Sequence, residues 1–267
     1  MNTLEIGIVS DEITPDFREA VRHALTWGVR KFELRVLKSG RVPAVDQTEI
    51  EDVLATIRER DVEITALSPG IFKASLGRAD VLEREVTETL PATIALARRL
   101  GCSMIITFGF QREVGEGERG RYQEAVAWMK RAAAVAEKEG VRLAIENEPG
   151  FWADTGVNTR RLIKDVGSPS LGANWDPCNA FGTTERPYPE GYTAIKDVIV
   201  NVHVKDTLKG SLIQCVPVGD GVIDWKGQMD ALMRDRVVAH VTIETHCLPL
   251  VENSRKNVEV LRRYMGR

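Results

Sequence analysis

The chain has 267 residues, a formal net charge of −3 and 43% apolar residues. That length suits two average domains or a single α/β barrel of about 250 residues, with ample apolar material for a core. The charge balance argues against a nucleic-acid partner, no apolar run approaches the roughly 20 residues of a membrane helix, and the opening MNTLEIGIVSDEI lacks a secretory pattern.

The first strand-like run, LEIGIVS at 4–10, leads into a helical pattern at 15–28 (PDFREAVRHALTWG). KFELRVL at 31–37 is followed by the helical QTEIEDVLATIRER at 47–60, and VEITALS at 62–68 by VLEREVTETLPATIALARRLG at 81–101. Pro91 interrupts that last pattern, so a kink or a division into two helices is expected there. SMIITFG at 103–109 precedes YQEAVAWMKRAAAVAEKEG at 122–140, and VRLAIEN at 141–147 precedes NTRRLIKDVG at 158–167. LGANWD at 171–176 is followed by YTAIKD at 192–197, VIVNVHV at 198–204 by DWKGQMDALMRD at 224–235, and VVAHVTIE at 237–244 by NVEVLRRYM at 257–265. Gly28, Gly101, Gly140 and Gly167 each follow a helical run as candidate helix stops.

Eight β units, each followed by a helix, predict a parallel sheet closed into a (β/α)8 TIM barrel. A doubly wound open sheet is the competitor, but EIGIVSDEI holds no glycine-rich dinucleotide turn. No linker rich in Pro, Gly or Ser appears, so residues 1–267 are read as one barrel domain. Four scattered cysteines (Cys102, Cys178, Cys215, Cys247) form no C-x-x-C pair, which indicates neither a zinc knuckle nor a disulfide framework. A reduced, cytoplasmic protein is expected.

Functional groups of such barrels sit at the C-terminal strand ends. The fifth strand there offers Glu146 and Glu148, the sixth Asp176, the seventh His203, and the eighth Glu244 and His246. Side chains alternate along a strand. In the seventh, Asn201, His203 and Lys205 are expected inside, with Val200, Val202 and Val204 toward the helices. Val241 and Ile243 likewise oppose Thr242 and Glu244, and Leu143 and Ile145 oppose Ala144 and Glu146. A single acid at a strand end is usually solvated or caps the next helix, but four such groups on successive strands form a set. Clustered carboxylates repel one another unless a cation intervenes. Glu146, Asp176, His203 and Glu244 are therefore predicted to ligate a divalent metal. Their hard, oxygen-rich donors suit Mn²⁺, Mg²⁺ or Co²⁺, and the imidazole also admits Zn²⁺. His240 is expected deeper in the barrel, and His23 belongs to an amphipathic helix.

With these residues in view, the sequence resembles the sugar phosphate isomerase/epimerase group of the xylose isomerase-like TIM-barrel superfamily. The likeness runs through SDEITPDF, FELRVL, SPGIFKASL, AIENEP, NWDPCN, VHVKD, VGDGVIDW and TIETH. That group includes ketohexose 3-epimerases, inosose dehydratases and hydroxypyruvate isomerases. The resemblance implies one divalent metal ion on the same four residues, and proton transfer beside a carbonyl through a metal-stabilised enediolate. It also implies Glu146 and Glu244 as the catalytic acid–base pair, and a small carbohydrate as substrate.

Asn179 stands where ketohexose epimerases carry a histidine, which argues against close identity with them. Asn179, Lys205 and Arg35 are the candidate substrate-binding residues, the last two with a competing reading. Lys205 could instead pair with Asp206 or a rim carboxylate, and Arg35, which shares parity with Glu33, could form an internal ion pair between strands. A dehydratase of a keto-inositol or sugar acid on the same site is the alternative activity, followed by a non-catalytic sugar-binding barrel. The apurinic endonucleases of the superfamily need three metals and more histidines than the four present. The aromatic segments NEPGFWADTG and RPYPEGY are expected to line the mouth or to meet a second copy in a homo-oligomer.

Overall fold

A computed structural model of the chain describes residues 4–113, 115, 120–209 and 214–266. Eight parallel strands form a closed barrel: β1 (Glu5–Val9), β2 (Lys31–Leu34), β3 (Glu63–Ile71), β4 (Met104–Phe108), β5 (Arg142–Glu146), β6 (Leu171–Trp175), β7 (Ile199–Val204) and β8 (His240–Ile243). Each strand pairs with its neighbours in sequence, and β1 pairs with β8 to close the ring. All eight strand-like segments of the sequence are strands of this ring.

Helices surround it: α1 (Phe17–Thr26), α2 (Gln47–Arg60), α3 (Ala79–Arg84), α4 (Leu90–Arg99), α5 (Tyr122–Glu139), α6 (Gly156–Val166), α7 (Pro177–Phe181), α8 (Tyr192–Ile195), α9 (Trp225–Asp235) and α10 (Leu250–Tyr264). The Pro91 region resolves as one π turn, Glu85–Thr89, between α3 and α4. The wider turn accommodates a residue that lacks an N–H and whose ring crowds the preceding turn. The four predicted helix-stop glycines have φ of 67°, 71°, 68° and 73°, the left-handed region in which a Cβ is unfavourable. α10 begins seven residues before the apolar pattern at 257–265, because its first turns are mostly polar. Among the described residues no helix is long and apolar enough to cross a membrane.

The main core lies between strands and helices and includes Leu143, Ile145, Val202, Val204, Val241 and Ile243, the outward set expected from alternation. The barrel interior holds a separate, smaller cluster of Ala66, Ile106 and Ala144 with Met104. Val200 joins this interior cluster, against the expectation that it faces the helices. The cause is an irregularity in register between β6 and β7, where Ala173 pairs with Ile199 but Asn174 pairs with Asn201. The extra residue breaks the alternation, as in a β-bulge. Gly172 makes room for it, since a Cβ there would sit 2.5 Å from Val200 Cγ1.

His240 starts β8 at the N-terminal end of the barrel, with its Nε2 buried and without a hydrogen-bond partner. Burial, aided by the Lys31 charge, depresses its pKa to about 4.

Gly172→Val should overpack the contact with Val200 and cost about 1–3 kcal/mol in urea unfolding; an unchanged midpoint would show that the interior yields there. Neutral His240 contributes stability that is present above the unfolded imidazole pKa of about 6.5 and is lost as pH falls toward its folded value. His240→Gln should therefore lose about 2 kcal/mol less stability than the parent between pH 7 and pH 4.5. Parallel pH profiles for the two proteins would contradict this.

Candidate metal centre

β5 carries Leu143 and Ile145 outward and ends on Glu146, which is 4% exposed inside the mouth. The next residue, Asn147, fastens β5 to the end of β6. Its Nδ2 donates to the Asp176 carbonyl, and its Oδ1 accepts from the Asp176 N–H, both at 2.8 Å. Asp176 itself is the N-cap of α7, with Pro177 in the first turn. Its Oδ1 accepts from Asn179 N at 2.9 Å, which leaves Oδ2 turned to the interior. β7 brings His203 and the following Lys205, and Glu244 directly follows β8.

One ligand atom from each of Glu146, Asp176, His203 and Glu244 lies within 4.8 Å of all the others. His203 Nδ1 is 3.5 Å from Glu146 Oε2 and 3.6 Å from Glu244 Oε2. It is buried and has no hydrogen-bond partner. The opposite ring nitrogen, Nε2, is 2.9 Å from Glu33 Oε2. A carboxylate on the far nitrogen fixes the ring and turns the near one toward a metal. Asp176 Oδ2 also lacks a hydrogen-bond donor, although Lys205 Nζ stands 2.8 Å away as an ion pair. These two atoms, converging with one oxygen each from Glu146 and Glu244, make a set of one nitrogen and three carboxylates that fits a divalent cation.

The surrounding charges hold the acids apart. Burial alone would raise the Glu244 pKa, but Lys205 and His246 hold it well below the usual range. Lys205 Nζ donates to Glu244 Oε2 at 2.9 Å, and Arg35 Nη1 to Oε1 at 2.7 Å. Glu146 is lowered despite its burial, mainly by His203. Its oxygens accept only from neutral amides, Asn179 Nδ2 at 3.2 Å and Asn174 Nδ2 at 3.4 Å. Asp176 is raised by burial. Burial would lower His203, yet Glu33 and Glu146 outweigh it and raise the imidazole well above its ordinary value.

All seven residues singled out in the sequence lie in this mouth, but three have their donors engaged by protein. Arg35 Nε bonds Asp11 and its Nη2 bonds Glu12, in addition to the bond to Glu244. Its ion pairs do run between elements, but not to Glu33. Lys205 pairs with Asp176 and Glu244 and not with Asp206. Asn179 is committed to Glu146 and the Asn147 carbonyl.

Glu33, Asp11 and Glu12 had been given no site role. Applying the strand-end test to SDE after β1 would have found the last two; nothing local to β2 shows that Glu33 meets His203. Glu148 lies 3.6 Å from Lys73, and burial and Glu146 raise its pKa. His246 Nδ1 is 2.7 Å from Glu12, and these two with Glu244 form a second close set. The Arg35 guanidinium bonded to both acids already supplies positive charge there.

Of the aromatic segments, Phe151 stacks at 6.1 Å on Phe108, which is in register with Glu146. Tyr192 and Trp152 neither line the mouth nor offer a surface, being buried in the core. Tyr192 instead places its hydroxyl 3.2 Å from Asp235 on α9.

The family model for the xylose isomerase-like TIM barrel matches residues 21–264. No curated protein sequence matches the chain. Among solved structures, D-allulose 3-epimerase from Methylomonas sp. is 16% identical with a TM-score of 0.79, covering 98% of each chain. The probable 3-DHS dehydratase AsbF from Bacillus anthracis is 17% identical with a TM-score of 0.78, covering 98% of this chain and 99% of its own. An IolI protein with a bound zinc atom is 14% identical with a TM-score of 0.79, covering 98% and 96%.

If Glu33 orients His203 for a metal, Glu33→Gln should weaken Mn²⁺ binding about 10–100-fold by calorimetry while the circular dichroism spectrum stays unchanged. Equal affinity would reduce Glu33 to a packing role.

Proposed function

The chain belongs to the xylose isomerase-like TIM-barrel family, and on that premise we propose that it is a divalent-metal-dependent isomerase or epimerase of a sugar or sugar derivative, acting by proton transfer beside a carbonyl. The observation that carries this reading is the buried quartet Glu146, Asp176, His203 and Glu244, whose ligand atoms converge on one point at the barrel mouth. A bound divalent ion supplies Lewis acidity and offsets the negative charge that develops when a carbon beside a carbonyl loses its proton.

The chain's own groups divide the remaining work. Glu146 and Glu244 come from β5 and β8 and approach His203 separately, at 3.5 and 3.6 Å. A substrate held between them can lose a proton to one carboxylate and receive a different proton on its opposite face from the other, once that second carboxylate has itself taken up a proton. Glu244, clamped by Arg35 and Lys205, is the weaker base. Glu146, held by neutral amides, is the stronger, so it removes the proton in the direction that starts on its side. Lys205 sits where its ammonium polarises a substrate oxygen next to the ion. Burial of the quartet keeps bulk water from competing for the proton. The partner is a small carbohydrate, and neither nucleic acid nor membrane enters the reaction.

Dehydration is the second reading. It is favoured by the buried Lys205 ammonium beside Asp176 and Glu244, a positive charge positioned to hold a departing hydroxyl. Likeness to a probable dehydratase in fold is compatible with it.

Purified protein reconstituted with Mn²⁺ should retain about one ion per chain and lose it in His203→Ala. Turnover of a ketose in D₂O should place deuterium on the carbon beside the carbonyl, and Glu244→Gln should abolish that exchange without unfolding the barrel. Unlabelled product would refute proton transfer, and full activity of Glu244→Gln would remove Glu244 from the chemistry.

A further inference from the structure

Around the mouth, Arg35, Lys205, Lys73 and His246 each face at least one carboxylate. Arg41 does not. It lies on a two-strand ribbon after β2, in which Val36–Leu37 pairs antiparallel with Gly40–Arg41. Arg35 precedes the ribbon, and its carbonyl accepts from Val42 N at 3.1 Å, which holds the two arginines side by side. From there the Arg41 side chain reaches across to the C-terminal half of β3. Its Nη1 donates to the Ser68 carbonyl at 3.0 Å and lies 3.7 Å from where a Cβ on Gly70 would stand. Among the described residues that is its one side-chain hydrogen bond, and no acid pairs with it. A guanidinium has five N–H donors, so most of this fork is open.

The position matters because Arg35 Nη1 bonds Glu244, which places Arg41 one arginine away from the quartet. Arg41 is also near enough to Asp11 and Glu244 for their charges to act on it. The two arginines repel each other, and the acids nearby are already taken by Arg35. An exposed planar fork with open donors, one arginine away from the quartet, matches a bidentate oxyanion better than a neutral hydroxyl. We infer that Arg41 binds an anionic substituent, a carboxylate or a phosphate, on the sugar acted on at the quartet, so that the substrate is an acidic sugar derivative and not a neutral ketose. This rests on the isomerase or dehydratase reading of the same site, which leaves the substrate class open.

The test uses three ketoses that differ only at the terminal carbon: D-fructose, D-fructose 6-phosphate and D-fructuronate. Binding to the Mn²⁺-loaded protein is measured by calorimetry, which needs no turnover, for the parent, Arg41→Met and Arg41→Lys. At least one anionic ketose should bind about tenfold or more tightly than D-fructose. That ratio should collapse in Arg41→Met and be partly kept in Arg41→Lys. Preference for the 6-phosphate alone identifies phosphate as the group, preference for fructuronate alone identifies carboxylate, and preference for both makes charge the determinant. Equal binding of all three, no binding of any, or a preference that survives Arg41→Met overturns the inference. Metal content and deuterium exchange measured on the same parent sample report separately on the catalytic reading. A protein that prefers anions through Arg41 without exchanging deuterium would fail the catalytic reading while keeping Arg41 as an anion-binding group.

Discussion

The structure turns on three carboxylates and an imidazole buried at one end of a barrel, within 4.8 Å of one another. Taking even one such charge out of water costs several kcal/mol, and like charges at this spacing add to the cost. The surroundings of the mouth answer that problem. Arg35 and Lys205 hold Glu244, Lys205 also holds Asp176, amides of Asn174 and Asn179 hold Glu146, and Glu33 holds His203. Even so, His203 Nδ1 has no hydrogen-bond partner, and Asp176 Oδ2 has only the Lys205 ion pair. Buried polar atoms are rarely left so. A cation held between them would satisfy both.

The barrel interior is graded to support this. At the N-terminal end sits His240, kept neutral by burial. Above it is a plug of small apolar side chains, Ala66, Ile106 and Ala144, with Val200 folded in over Gly172. Asn201 and Asn174 form the next layer and pass a hydrogen bond, Asn201 Nδ2 to Asn174 Oδ1 at 3.1 Å, toward Glu146. The charged quartet comes last. From the plug upward each layer is more polar than the one beneath, so the plug blocks water from below while the amides orient the acids above.

Two carboxylates of the same chemical type are thereby made unequal. Glu244 has both oxygens bonded to cations, whereas Glu146 has both bonded to neutral amides. Environment alone sets their difference. The likeness in fold to solved structures at 14–17% identity shows how far the scaffold outlasts its sequence.

By itself the sequence determined the ring of strands, the helix stops and the identity of the quartet. Strand alternation and glycine φ preferences are properties of a few neighbouring residues, and strand ends fall at one rim of a parallel barrel. Alternation failed at Val200, because a bulge depends on how β7 registers against β6 and not on either strand alone. The partner of His203 was hidden for a similar reason. Glu33 is 170 positions away on β2, and only closure of the barrel through β1 and β8 brings it to the ring nitrogen. The same closure consumes the donors of Arg35, through acids that follow β1 and β8, and leaves Arg41 open. Local pattern names which groups reach the mouth; contacts across the ring decide which are spent on one another and which are left for a ligand.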